Sequence, residues 1–224
     1  MKRNYHFKSI SNKKIWDSEN VFYLKTNISR LAKAIYHYEI YKKILGIPGD
    51  IVELGVFKGN SIVRFATYRS ILENNNSRKI IGFDNFGKFT NQRRKEDKFF
   101  INKWNKTTGG RGIDVNELKK IFEEKKFSNF ELIKGNINKT LALYLKKNSY
   151  LKISLLHLDL DVYSPTLFAL RKLYKYVSKG GVVLIDDYAT VKGATEAVDI
   201  FVKKYNIKLK KKNFLRNPSY FIKE

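Results

Sequence analysis

Four aspartates stand at the ends of two apolar segments, where they could carry out metal-assisted chemistry. Asp159 and Asp161 close one segment, and Asp186 with Asp187 closes the next. Apolar runs of this length are typical of strands buried on both faces, and ligands of open α/β sheets gather at the carboxyl ends of such strands. Four acids at one edge repel each other unless some are protonated or a cation neutralises them. The pattern therefore predicts a site for a hard divalent cation such as magnesium.

A loop with two glycines follows an earlier apolar segment and predicts a cofactor site. Gly55 and Gly59 allow the backbone to pass close to a ligand, and the helix after them presents free N–H groups to an anion such as a carboxylate. The loop lacks the G-x-G-x-x-G spacing that binds a dinucleotide diphosphate. Glu53 is expected to accept a hydrogen bond from an ammonium group, and Asp84 from ribose hydroxyls. Together these partners suit S-adenosylmethionine.

The elements that position these residues alternate between strand and helix. Apolar periodicity predicts strands at 50–54, 79–84, 130–134, 153–158, 182–185, 207–211 and 219–222, and helices at 28–45, 60–72, 115–126, 138–148, 166–177 and 192–205. This order predicts an α/β fold with a doubly wound, mostly parallel seven-stranded sheet and an antiparallel C-terminal strand. We expect a single domain over residues 1–224, in which residues 1–47 form an N-terminal helical segment.

The composition limits the classes of protein that fit. The 224 residues include no cysteine, which excludes disulfides and thiolate metal sites. The sequence has no run of transmembrane length and no apolar stretch of a signal peptide, so we expect a cytoplasmic protein without a membrane span. The net charge of +24 has two interpretations. It is either compositional, with lysines spread over solvated faces, or a functional surface that attracts phosphate-bearing substrates.

An ordered set of motifs resembles one known family. The set comprises Pro48-Gly49-Asp50-Ile51-Val52-Glu53-Leu54-Gly55-Val56, Gly82-Phe83-Asp84, Leu158-Asp159-Leu160-Asp161-Val162-Tyr163-Ser164-Pro165-Thr166, Gly180-Gly181, Asp186-Asp187-Tyr188, and Gly193 with Ala197-Val198-Asp199. It is similar to the macrocin O-methyltransferase type of class I methyltransferases, which modify sugar hydroxyls with S-adenosylmethionine and magnesium. The resemblance extends from about Pro48 to Phe201 and implies the class I methyltransferase sheet.

The resemblance also implies roles for individual residues. It assigns the metal to Asp159, Asp186 and Asp187, and the cofactor to Glu53, Gly55, Ser61 and Asp84, with Asn136 near the adenine. The chain departs from the family pattern at Leu160, where glycine is usual, and near Thr195, where an arginine is common.

Methyl transfer from a sulfonium needs an acceptor oxygen that is aligned with the methyl group and more nucleophilic than a neutral hydroxyl. A magnesium ion lowers the pKa of a coordinated hydroxyl, and a nearby carboxylate takes the proton. Asp161 is the candidate base, because it shares a side with Asp159 if the strand continues that far. Alternatively, Asp161 caps the helix that follows. His157 has the same parity and is either a second candidate base or a buried histidine with satisfied hydrogen bonds.

Residues 85–114 form a long segment that is both basic and aromatic. It contains Phe89, Arg93, Arg94, Phe99, Phe100, Trp104 and Arg111. Because it follows Asp84, we expect an irregular lid over the acceptor, with aromatic rings stacking on a sugar or base and arginines pairing with phosphate. The alternative is a partly helical cover with solvated charges.

These observations predict a magnesium-dependent sugar O-methyltransferase whose acceptor is nucleotide-linked or otherwise phosphate-bearing. Three alternatives stay open: a catechol-type methyltransferase, an RNA-binding methyltransferase and a non-catalytic interaction module. We expect no specific nucleic-acid partner, and the pattern also allows a homo-oligomer.

Overall fold

The computed structural model of the protein describes residues 12–90 and 92–224. The first eleven residues of the predicted N-terminal segment, and Asn91 in the predicted lid, lie outside the described residues. The elements in chain order are α1 (Asn12–Lys25), α2 (Ile28–Lys42), β1 (Asp50–Leu54), α3 (Asn60–Leu72), β2 (Ile80–Asp84), α4 (Lys95–Thr108), α5 (Val115–Glu124), β3 (Phe130–Lys134), α6 (Ile137–Lys147), β4 (Ile153–Leu158), α7 (Tyr163–Leu173), β5 (Val177–Ile185), α8 (Lys192–Tyr205), β6 (Lys210–Lys211) and β7 (Ser219–Ile222).

The seven strands form one mixed sheet in the order β3-β2-β1-β4-β5-β7-β6. Strands β1 to β5 run parallel to one another, whereas β7 runs antiparallel to both β5 and β6. This confirms the predicted fold class. The central strand β4 is buried along its whole length, which explains why its sequence is apolar except for Ser154 and His157. The chain order reverses next to β1 and β4, and their carboxyl ends therefore form the crevice in which ligands of such sheets bind.

Two apolar layers cover the faces of the sheet. One contains side chains of α6, α7 and α8, and the other contains side chains of α2, α3 and α5. Helix α2 contributes four buried residues, Tyr36, His37, Ile40 and Tyr41. Their helical spacing places them on one face of the helix. Within the described part of the chain, no helix is long and apolar enough to cross a membrane.

The largest differences from the sequence prediction lie in four elements. Strand β5 begins at Val177, five residues before the predicted residue 182. The predicted irregular segment 85–114 contains helix α4, so the partly helical alternative describes it better. Helix α7 starts three residues earlier than the predicted residue 166 and ends at Leu173, before a short 3₁₀ turn. The predicted strand 207–211 is reduced to the two residues of β6, which lie at the exposed edge of the sheet.

Helix α4 is fixed by polar contacts rather than by an apolar face. The buried carboxylate of Asp97 accepts from the backbone N–H of Tyr163 at the start of α7, at 3.3 Å. Gly193 makes room for this carboxylate, because a Cβ there would lie 2.1 Å from Oδ1 of Asp97. The guanidinium of Arg94 donates to Glu196 of α8. These contacts hold α4 beside the carboxyl edge of the sheet.

Candidate functional site

A cavity of about 1530 Å³ opens at the carboxyl ends of β1, β2, β4 and β5. This volume exceeds the range of about 300–1,000 Å³ that is usual for one small ligand, so a cofactor and an acceptor can share it. Eight of the nine sequence-predicted site residues line it: Gly55, Ser61, Asp84, Asn136, Asp159, Asp161, Asp186 and Asp187. The ninth, Glu53, lies behind the wall.

The loop after β1 is held by the side chain of Asp84. Oδ2 accepts from the backbone N–H groups of Val56 and Phe57, at 2.8 and 3.0 Å. Gly55 has a φ of +92°, and a Cβ there would lie 1.7 Å from the carbonyl oxygen of Asp159. Glycine is therefore required so that the loop can pass against the backbone after β4. Its contact with a cofactor, like that of Asp84 with ribose, stays a prediction.

Glu53 is fully buried and is engaged by two side chains. Its Oε1 accepts from the Ser61 hydroxyl at 2.7 Å, and its Oε2 lies 3.2 Å from Nδ1 of His157. Glu53 and His157 are direct neighbours in the pairing of β1 with β4, so their side chains point to the same face of the sheet. Glu53 is therefore connected to the cavity by the hydroxyl of Ser61, which lines it. Asn136 lines the cavity and caps α6, accepting from the N–H of Asn138.

Three of the four aspartates converge. One carboxylate oxygen from each of Asp159, Asp161 and Asp187 lies within 4.8 Å of the other two. The backbone N–H of Asp161 donates to Oδ2 of Asp187 at 2.8 Å. Strand β4 ends at Leu158 and Asp161 has a φ of +62°, so a turn brings Asp161 to the cluster rather than the strand parity expected from sequence. Helix α7 has Val162 at its N-cap, which excludes the alternative that Asp161 caps it.

The electrostatics of this cluster favour bound positive charge. Burial raises the pKa of Asp159 well above its ordinary value, and the neighbouring Asp186 and Asp187 raise it further. Burial, followed by the nearby acids, also raises the pKa values of Asp161 and Asp187 well above the ordinary range. A cation would relieve both the desolvation and the repulsion. A donor set made only of carboxylate oxygens fits a hard ion such as magnesium.

Asp186 is drawn to a different set of partners. Its Oδ2 accepts from the ammonium of Lys33, on α2, at 2.6 Å. Burial lowers the pKa of Lys33, but the carboxylates of Asp186 and Asp159 outweigh that effect and leave the pKa raised. A ring nitrogen of His37, a ring nitrogen of His157 and a carboxylate oxygen of Asp186 also lie within 4.8 Å of one another. Burial, followed by the neighbouring His157 and Arg64, lowers the pKa of His37 well below its ordinary value.

Sequence reasoning missed Lys33 and His37. They are four residues apart and lie on the same face of α2 as Tyr41, which follows His37 by another four residues. Two polar residues that continue the line of a buried stripe are the signal that could have identified them.

The rest of the cavity wall is basic and aromatic. From the predicted lid, Phe89, Arg93, Arg94, Phe100 and Trp104 line it, whereas Phe99 and Arg111 do not. Further basic residues that were not predicted come from α2, α3 and the loops: Arg30, Lys33, Lys58, Arg64 and Lys88. The acids therefore lie in a pocket whose surroundings attract anions.

Comparisons with known proteins identify the family and the fold. The family model described as macrocin O-methyltransferase (TylF) matches residues 26–221. The fold is similar to the calicheamicin methyltransferase CalS11, with a TM-score of 0.79 and 24% identity over 95% of this chain and 86% of that one. An apo structure of CalS11 is described as a TDP-rhamnose 3′-O-methyltransferase.

A second similar structure is that of the O-methyltransferase NovP. Its TM-score is 0.71, with 21% identity over 85% of this chain and 79% of that one. No curated protein sequence matches the chain significantly. The two structures support the fold, and the family model supports the class of enzyme.

Proposed function

Because the chain belongs to the macrocin O-methyltransferase family, it is an S-adenosylmethionine-dependent O-methyltransferase, and we propose that it methylates a hydroxyl of a nucleotide-linked sugar with the help of magnesium. The observation that carries the proposal is the cavity itself, in which a cluster of buried and half-buried carboxylates is surrounded by basic and aromatic side chains. The carboxylates suit a cation and hydroxyl groups, and the surrounding cations suit a diphosphate.

In this proposal Asp159 and Asp187 of the cluster would hold the metal ion together with Asp186, which would exchange its contact with Lys33 for the ion. When bound, magnesium supplies Lewis acidity, which lowers the pKa of an acceptor hydroxyl. Asp161 takes the proton of that hydroxyl. Asp161 lies in the same cluster but outside the proposed ligand set, so its carboxylate is free to accept that proton.

The cofactor is proposed to occupy the side of the cavity beside the glycine loop. Gly55 and Ser61 would contact its amino-acid end, Asp84 its ribose and Asn136 its adenine. Glu53 would act on the ammonium group of the cofactor through Ser61. The Ser61 hydroxyl donates to Oε1 of Glu53 at 2.7 Å. This places the methyl group between the loop and the acid cluster.

The nucleotide portion of the acceptor would lie against the outer wall. Arg30, Arg64 and Arg93 offer donors for a diphosphate, and Trp104 with Phe100 offers stacking surfaces. CalS11, whose fold is similar, is described as acting on TDP-rhamnose. A catechol acceptor would need none of these cations.

The proposal is tested by a competition among acceptors. The protein is incubated with S-adenosylmethionine, magnesium and one of four acceptors: nucleotide-linked sugars, free sugars, catechols or RNA. We expect methylated product only from the nucleotide-linked sugars. Product from catechol or RNA alone would contradict the assignment.

A further inference from the structure

Three buried side chains behind the acid cluster each carry a polar atom without a hydrogen-bond partner among the described residues. These atoms are Nε2 of His37, Nε2 of His157 and Oδ1 of Asp186. Both histidines are completely buried, and Asp186 is 7% exposed. The three side chains are neighbours, since one nitrogen from each ring and one oxygen of Asp186 lie within 4.8 Å of one another. Because an unpaired buried polar atom costs free energy, three of them on neighbouring side chains indicate a small bound partner.

The neighbours of the two histidines determine which of these atoms carries a hydrogen. A guanidinium only donates, so Nδ1 of His37, 3.2 Å from Nη1 of Arg64, accepts. The neutral ring of His37 then carries its hydrogen on Nε2. The Glu53 carboxylate only accepts, so Nδ1 of His157, 3.2 Å from Oε2, carries the hydrogen and leaves a lone pair on Nε2.

Asp186 supplies a second acceptor. Its Oδ2 accepts from the Lys33 ammonium, and its Oδ1 has no partner among the described residues. The three atoms together therefore present one N–H donor and two acceptors.

We propose that His37, His157 and Asp186 bind one buried water molecule, and that through this water His157 is a positioning residue for Asp186. A water molecule that accepts from His37 and donates to His157 and Asp186 satisfies all three atoms at once. A divalent ion would need a lone pair from each atom, and Nε2 of His37 has a hydrogen instead. An ammonium ion has no lone pair to accept from that hydrogen.

The water completes a chain of contacts between the two halves of the site. The chain runs from Ser61 through Glu53 and His157 to Asp186 and Lys33. The water would fix the orientation of the Asp186 carboxylate, so that Oδ2 faces the cavity. This role rests on the proposed function, because it matters for catalysis only if Asp186 contributes to the metal site.

The hydrogen-bond assignment is tested without any assay of activity. The chain has three histidines, so nitrogen-15 NMR of histidine-labelled protein can assign each ring. We expect hydrogen on Nε2 of His37 and on Nδ1 of His157, and a crystal structure with one solvent peak at hydrogen-bond distance from all three atoms. Hydrogen on Nδ1 of His37, or an anomalous signal from a metal at that peak, would overturn the proposal.

The positioning role is tested by manganese affinity, measured by electron paramagnetic resonance. The rings of His37 and Phe65 are stacked, with their centroids 5.0 Å apart. His37→Phe keeps an aromatic ring at this place but removes the N–H group that would donate to the water. We expect a loss of about tenfold, as for other groups that orient a metal ligand. The control is Phe65→Leu, which disturbs packing around both histidines and leaves every polar atom in place.

An equal loss of manganese affinity in both variants would assign the effect to packing and contradict the positioning role. If the unmodified protein binds no manganese, the metal part of the proposed function fails. The NMR and crystallographic results would still decide the water site independently.

Discussion

The ammonium of Lys33 lies 2.6 Å from Oδ2 of Asp186, beside the other aspartates at the carboxyl edge of the sheet. Helix α2 therefore supplies one positive charge to the place where the proposed magnesium ion would bind. The lysine lowers the repulsion among the acids, and it also competes with the ion for Asp186.

This competition predicts the effect of Lys33→Met. The variant keeps the length of the side chain and removes the charge, so manganese affinity measured by calorimetry should rise about three- to tenfold. Lys42→Met is the matched control, because Lys42 lies on the same helix and pairs with Glu39 instead. A lower manganese affinity in Lys33→Met would show that the lysine organises the metal site rather than competing with the ion for Asp186.

Cofactor binding should depend on Asp84 and Glu53. Asp84→Ala removes the acceptor for two loop N–H groups and the proposed acceptor for the ribose, and Glu53→Ala releases Ser61 and His157. Each variant should weaken S-adenosylmethionine binding by about 1–3 kcal/mol in calorimetry. Asp114→Ala, which removes the cap of α5, serves as control. Unchanged affinity in the first two variants would mean that the cofactor pocket is elsewhere.

The segment 85–114 is expected to act as a lid, although helix α4 is docked in this structure. Protease should cut the segment in the free protein, and cofactor with acceptor should slow that cut several-fold. Asp97→Ala, which removes the carboxylate beside Tyr163, should make the free protein more sensitive. Equal rates of cutting with and without ligands would favour a fixed cover.

Salt distinguishes a sugar-nucleotide enzyme from a nucleic-acid enzyme. If the basic wall attracts a diphosphate, added salt should raise KM for a nucleotide-linked acceptor and barely change kcat, because screening acts over about 10 Å at 0.1 M. We expect nucleic-acid binding to be weak and to vanish near physiological salt. Tight, salt-resistant RNA binding would contradict the proposed acceptor.

The strands of this fold could be predicted from sequence more closely than the lid. Strands β1, β3, β4 and β7 and helices α3 and α8 begin and end at the predicted residues, because buried runs and helical stripes mark them directly. Helix α4 has no such stripe, and Asp97 is its only buried residue. Contacts with α7 and α8 hold it in place, and these cannot be read from local sequence.

The site was predictable to the extent that sheet topology determines it. Parallel strands bring the ends of β4 and β5 together, so Asp159 and Asp187 were expected to meet and do so. The contacts of Lys33 and His37 depend on how α2 packs across the sheet. Sequence spacing does not specify that packing, and it could not indicate that Lys33 would pair with Asp186.

The most direct test of the proposed function is transfer of a labelled methyl group from S-adenosylmethionine to a nucleotide-linked sugar, with and without metal. We expect turnover that stops when a chelator is added and returns with magnesium. Asp159→Asn should abolish turnover and leave cofactor affinity largely intact. Turnover that continues in the chelator and in Asp159→Asn would contradict the metal-dependent mechanism proposed here.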